Sequence, residues 1–272
     1  MMEDTFTPLQ LQVEGASLRF CRYGGQVLSW QPADGQERLF LSDRSLYQSG
    51  QAIRGGVPII FPQFSGRGSL PKHGFARDRA WALLQWDEDS GQAELELRES
   101  LETLQIWPFA FRLVLKLQLR PQQLQLQLTV ENCDRQPWSF TAALHSYLAV
   151  PDLATVHLQG LQGRWGTEQT TGDRWQEMEC DRHFPQAIDA LYEAPAQPLT
   201  LLAPPWSALQ ICQTGFTETV IWNPGSAGVS QIGDLASGSE QQFLCVEAAV
   251  VQSPPRLEPG EIWQGQQVFQ VG

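Results

Sequence analysis

The sequence predicts an all-β protein of mostly antiparallel strands, on two observations. Polar and apolar residues alternate along much of the chain, and no stretch of eleven or more residues keeps the 3.6-residue spacing of a helix. The clearest alternation runs from Leu113 to Leu119 and, across Pro121, from Leu124 to Val130, which reads as a hairpin with Leu inward and Gln outward. The same pattern marks Ser17 to Arg22, Val27 to Gln31, Trp81 to Trp86, Ala93 to Arg98 and Ser139 to Val150. It returns at Leu199 to Leu202, Ala208 to Gln213, Thr219 to Trp222, Gln242 to Ala248 and Ile262 to Gln270. The best helical candidate, Leu101 to Trp107, opens after Ser100 and is stopped by Pro108, so it holds two turns at most. A dozen or so short strands without crossover helices imply a large sandwich or barrel. With no linker, low-complexity block or internal repeat, a single domain over residues 1–272 is expected.

Composition narrows the function. The chain carries 18 Lys and Arg against 30 Asp and Glu, a net charge of -12, which speaks against wide nucleic-acid binding. No apolar run reaches the roughly 18 residues of a membrane helix. The opening Met1-Met2-Glu3-Asp4-Thr5 is unlike a signal peptide. Cys21, Cys133, Cys180, Cys212 and Cys245 are odd in number and scattered, which fits reduced thiols in the cytoplasm.

One segment departs from the acidic average. Arg54, Arg67, Lys72, Arg77 and Arg79 are opposed there only by Asp78. The same stretch concentrates Gly50, Gly55, Gly56, Gly66, Gly68 and Gly74 with Pro58, Pro62 and Pro71. Ile59, Ile60, Phe61 and Phe64 argue that this long irregular segment packs rather than floats. A packed basic loop on an acidic body suits a compact anion, a carboxylate or a phosphate ester.

Few groups are placed for chemistry. His73 lies within the basic loop, and alternation puts His145 on one strand face with Ala143 and Tyr147. Taken singly, both also fit packing histidines. Glu247 and Asp189 interrupt apolar runs, where burial would raise a carboxyl pKa toward the range of a general base. A strand-end carboxylate in water is the plainer reading of either. His157 and His183 show no signal of their own. Walker, dinucleotide-binding, Gly-x-Ser-x-Gly and His-Glu-x-x-His motifs are absent, as is zinc-ligand spacing.

Several segments together resemble the glucose-6-phosphate 1-epimerase (hexose-6-phosphate mutarotase) branch of the aldose 1-epimerase superfamily. They are Ile53-Arg54-Gly55-Gly56-Val57-Pro58-Ile59-Ile60-Phe61-Pro62-Gln63-Phe64, Leu70-Pro71-Lys72-His73-Gly74-Phe75-Ala76-Arg77, Leu144-His145-Ser146-Tyr147, Val220-Ile221-Trp222-Asn223-Pro224 and Cys245-Val246-Glu247. The resemblance runs from about Gly24 to Glu261. It implies a galactose-mutarotase-like β-supersandwich that interconverts hexose 6-phosphate anomers with no metal or organic cofactor. By motif position, His145 is the acid that protonates the ring oxygen and Glu247 the base at the C1 hydroxyl. Asp189 and His73 hold sugar hydroxyls, Arg54 and Arg77 bind substrate, and Lys72 lines the site. The family usually follows Trp-Asn-Pro with Trp and then Lys; Gly225 and Gly228 stand here instead, so an aromatic wall and a cation are in question.

The resemblance also implies a small sugar phosphate as the binding partner, with no nucleic acid or membrane, and a monomer. Opposite charges close together favour a resting pair of ionised Glu247 and protonated His145. Three other readings stay open on the residues: an epimerase of unphosphorylated sugars, a carbohydrate binder without turnover, and a glycoside hydrolase using Asp189 and Glu247.

Overall fold

A computed structural model describes residues 5–272; the acidic opening, Met1 to Asp4, lies outside the described residues. Two large antiparallel sheets carry the fold, as the alternation predicts. The first has nine strands in the order Asp181–His183, His157–Gln159, Leu199–Leu202, Leu209–Thr214, Ile262–Val271, Gln123–Asn132, Phe111–Arg120, Gln92–Arg98 and Ala82–Asp87. The second has eight. Its order is Arg174–Gln176, Trp165–Glu168, Ile188–Glu193, Glu218–Asn223, Phe243–Val250, Ala142–Leu144 and Ile59–Ile60, with Tyr147–Ala149 also paired to Phe243–Val250. Leu9–Val13, Ala16–Phe20 and Val27–Gln31 form a further three-stranded sheet. No helix of the described residues is long and apolar enough to cross a membrane.

Period-2 patterning explains the layers. Leu113, Leu115, Leu117 and Leu119, with Leu124, Leu126 and Leu128 of the paired strand, are buried in the main core. Each leucine taken out of water contributes about 1.5–3 kcal/mol. The residues between them stay wetter, and Lys116 pairs with Glu94 at 3.0 Å across the ladder. The short helix Leu101–Ile106 begins at a capping box between Ser100 and Thr103 and ends before Pro108, as its sequence signals require.

The second sheet uses both faces. Along Phe243–Val250 every residue is buried: Leu244, Val246, Ala248 and Val250 enter the main core, while Cys245, Glu247 and Ala249 turn the other way. The same rule sends Ile221, Ala190 and Leu144 into the core and leaves Trp222, Asp189 and Ala143 on the opposite face. Register then gathers that face, setting Asp189 opposite Trp222 and Val220 opposite Glu247.

The basic segment covers this second face. Ile59–Ile60 pairs with Ala142–Leu144, and the Tyr147 and His145 N–H groups donate to Gly56 O at 2.9 Å and Pro58 O at 3.0 Å. Gly56 and Gly74 adopt φ of 61° and 68°, and a β-carbon at either would collide with the carbonyl oxygen of Val27 or Phe61. The glycines therefore let the segment lie directly on its neighbours.

Ser139 to Val150, expected as one strand, is three pieces: Trp138–Ser139, Ala142–Leu144 and Tyr147–Ala149. The last break falls at His145 and Ser146, and it is pinned from below. Ser146 Oγ donates to Gln267 Oε1 at 2.7 Å, and Gln267 Nε2 donates to Val246 O at 3.0 Å. Gln267 comes from the nine-stranded sheet and has no solvent exposure, so one buried amide bolts the two sheets at this point. Gln267→Leu would keep the volume while removing both of these hydrogen bonds and leaving Ser146 Oγ only its long contact with Leu144 O at 3.5 Å. It is expected to lower unfolding free energy by about 2–3 kcal/mol in a denaturant titration; an unchanged midpoint would show that the break holds itself.

Candidate active site

A cavity of about 180 Å³ opens on the covered face of the eight-stranded sheet. Its walls include all seven residues singled out in the sequence: Arg54, Lys72, His73, Arg77, His145, Asp189 and Glu247. Glu247 and Asp189 come from strand interiors, His145 from the strand break, and the other four from the basic segment. Residues separated by almost 200 positions thus meet because sheet register and one loop place them there.

His145 Nε2 lies 3.3 Å from Glu247 Oε1, with both residues buried. His145 Nδ1 and Glu247 Oε2 are shielded from solvent and meet no hydrogen-bond partner among the described residues. Burial pushes the Glu247 carboxyl well above its usual range, and nearby Asp189 pushes the same way. Burial also pushes the His145 imidazole well below its usual value, helped by the positive charges of Arg77 and Arg54. Both shifts run against the expected ion pair: the cost of keeping two charges out of water favours neutral imidazole and carboxylic acid.

Aromatic rings hold the imidazole in place. Tyr147 stacks on it at 4.7 Å and 10°, and Trp222 meets it edge-on at 5.8 Å and 80°. The Tyr147 hydroxyl accepts a hydrogen bond from Arg54 Nη1 at 3.0 Å, while Arg54 Nε pairs with Asp234 at 3.0 Å. Burial opposes the Arg54 charge, but Tyr147 and Asp234 more than offset it and keep the guanidinium firmly protonated. Arg77 has a different setting. Its Nη2 donates to Lys72 O at 3.2 Å, and no carboxylate pairs with it among the described residues. Burial and the charge of Arg54 both bear against it.

His73 is also neutral, held well below its usual pKa by burial and then by Arg77 and His145. Ser65 N–H donates to His73 Nδ1 at 3.3 Å, which leaves the ring proton on Nε2 as a donor. Asp189 is raised by burial, and its Oδ1 accepts from Gln169 Nε2 at 2.5 Å. Arg67 reaches the same glutamine, donating to Gln169 Oε1 at 3.3 Å. His73 and Asp189 therefore share one space with His145 and Glu247.

Sequence reasoning missed Gln169, Asp234, Phe64 and Ile232, and did not give Tyr147 or Trp222 a place in the site. Tyr147 carried a signal, since alternation had put it on the face of His145. Gln169 and Asp234 carried none; a polar residue in a turn-rich stretch looks like any other. Gly225 and Gly228 do not line the cavity, and Gly225 has φ of 62° with Ala187 close against it. Trp222, the tryptophan of the Trp-Asn-Pro run itself, lines the cavity, and the segment after Pro224 supplies Ile232 and, behind Arg54, Asp234.

The arrangement offers proton exchange between a buried imidazole–carboxyl pair and a small polar ligand, beside a cation with no carboxylate in salt-bridge contact. Comparisons with known proteins agree with that setting. A protein of Cenchrus ciliaris named "Putative glucose-6-phosphate 1-epimerase" is 34% identical over 266 residues, covering 89% of this chain and 78% of its own. The solved structure of a "putative mutarotase" of Salmonella typhimurium superposes with a TM-score of 0.89 at 27% identity, over 97% of this chain and 90% of its own. A "galactose mutarotase related enzyme" of Lactobacillus acidophilus shares the fold, with a TM-score of 0.80 at 13% identity over 98% of this chain and 97% of its own. The family model described as aldose 1-epimerase matches residues 9–270, and the chain belongs to that family.

Proposed function

We propose that the protein interconverts the α and β anomers of a hexose 6-phosphate, with glucose 6-phosphate the leading candidate. The observation that carries this reading is the coincidence of the buried His145–Glu247 contact with Arg77, a cavity cation with no carboxylate in salt-bridge contact among the described residues. A pair alone suits any aldose; the unbalanced cation calls for an anionic substituent. The names of the relatives at 34% and 32% identity support the same substrate.

The chemistry follows from the hemiacetal. Glu247 takes the proton of the C1 hydroxyl, and the O–H electrons form the aldehyde C=O as the bond from C1 to the ring oxygen breaks. That bond's electrons pass to the ring oxygen, which receives a proton from His145. Rotation about C1–C2 presents the other aldehyde face, and the same groups close the ring with roles exchanged. Each positioned group contributes about 10²- to 10⁴-fold. His73 Nε2–H and Asp189 hold ring hydroxyls so that the pyranose lies against the pair, with its C1 hydroxyl and ring oxygen turned toward Glu247 and His145.

The neutral resting pair must place its proton on His145 before ring opening. The direct 3.3 Å contact gives the proton a path. A phosphate bound at Arg77 and Arg54 offsets the positive field that disfavours imidazolium. The phosphate thus serves turnover as well as affinity.

Exchange NMR of the anomeric protons tests this reading: faster exchange of glucose 6-phosphate than of glucose is expected, and equal acceleration of both sugars would remove the phosphate assignment. Arg77→Ala should raise KM for glucose 6-phosphate by about 10- to 100-fold, the worth of one charge-assisted contact, with less than about 3-fold change for glucose.

Glu247→Gln should lose turnover while gaining stability. The folded pKa of Glu247 lies above the ordinary 4.5, so its carboxyl favours the native state while both states hold the proton. That advantage is lost as pH climbs from about 4.5 toward the folded value. The amide cannot ionise and escapes the loss. Its Tm gain over wild type should therefore be small near pH 4.5 and reach about 3–6 °C by pH 8; a gain that shrinks with rising pH would contradict the raised pKa.

A further inference from the structure

His157 and His183, silent in the sequence, face each other directly across the ladder at the edge of the nine-stranded sheet. Their rings are 4.1 Å apart, centroid to centroid, at 55°. Asp181 lies two residues before His183 and so on the same face, with Oδ2 3.0 Å from His157 Nδ1. One donor atom from each of these three side chains lies within 4.8 Å of the other two, and this is the one such convergence among the described residues. Asp181 Oδ1 is shielded from solvent with no partner at full hydrogen-bond geometry, and the Gln159 side chain across the ladder reaches the carboxylate as a weak hydrogen-bond donor.

We propose that His157, Asp181 and His183 bind a divalent transition-metal ion of the zinc type, at a site separate from the sugar cavity. Two imidazoles and one carboxylate suit zinc, nickel or copper, whereas magnesium and calcium require oxygen donors throughout. The 3.0 Å between His157 Nδ1 and Asp181 Oδ2 is a few tenths of an ångström under the roughly 3.4 Å that two donors of a tetrahedral ion span, so a small parting of the two side chains admits the ion. Rotation of the exposed His183 ring closes the third bond, and solvent completes the coordination. None of the three residues lines the sugar cavity.

The ion has a mechanical role. Asp181–His183 is an edge strand paired only with His157–Gln159, and two of the three ligands sit on it. A metal bridge to His157 clips that edge down. The chain then runs within a few residues into Ile188–Glu193, the strand that carries Asp189. The clip therefore steadies the approach to one cavity wall without touching the cavity.

Titration calorimetry of zinc chloride into chelator-treated full-length protein, paired with thermal unfolding, tests the site. Wild type is expected to bind one ion per chain in the micromolar range and to gain a few degrees in Tm with zinc. His183→Ala and Asp181→Asn should each bind at least about 10-fold more weakly and lose the zinc-dependent gain, while their metal-free Tm matches wild type. Cys180→Ser, beside the cluster, should bind as wild type does. Absence of binding below millimolar zinc, wild-type affinity in His183→Ala, or loss of binding in Cys180→Ser would each overturn the proposal.

Discussion

The structure turns on a buried acid and base that share one proton in place of two charges. A carboxylate and an imidazolium 3.3 Å apart attract strongly, yet both would have to leave water to meet. Here desolvation wins. The consequence is a buried acid and base in direct contact, with burial bearing against charge on either. Every supporting feature serves that placement: the register of Phe243–Val250 on Glu218–Asn223, the strand break at His145, and the Gln267 amide beneath it.

The cations around the pair are not equivalent. Arg54 is locked between Tyr147 and Asp234, so much of its charge is already answered, and it also braces the ring that stacks on His145. Arg77 and Lys72 sit in the same wall with no carboxylate partner among the described residues. A positive cavity in a chain of net charge -12 costs stability in the free protein and draws in an anion of matching size. That same field disfavours the imidazolium, so in the proposed reaction an anionic substrate would also ease protonation of His145.

Strand content was legible because alternation is a local property: the hairpin Phe111–Arg120 with Gln123–Asn132 can be read from its leucines alone. Short or irregular strands such as Trp165–Glu168 and Asp181–His183 were not legible, since three or four residues with mixed patterning give no period to detect. Glu247 and Asp189 stood out as acids in apolar runs, and the basic loop stood out by its charge and glycines. Gln169, Asp234 and the His157–His183 pair matter only through contacts made across strands, and nothing within a few residues of them announces those contacts. The charge of the pair is hard to read from sequence for a related reason: attraction can be guessed from two residue types, whereas its balance against desolvation depends on a burial that only the fold reveals.

Nitrogen NMR of the His145 imidazole in the free protein, with the ring assigned by its loss in His145→Asn, tests the shared-proton state most directly. A neutral imidazole throughout the range from about pH 6 to pH 8 is the expected result, since burial holds its pKa below the ordinary 6.5. A doubly protonated ring at neutral pH would show that the charges survive burial, and would contradict a neutral resting pair in the cavity.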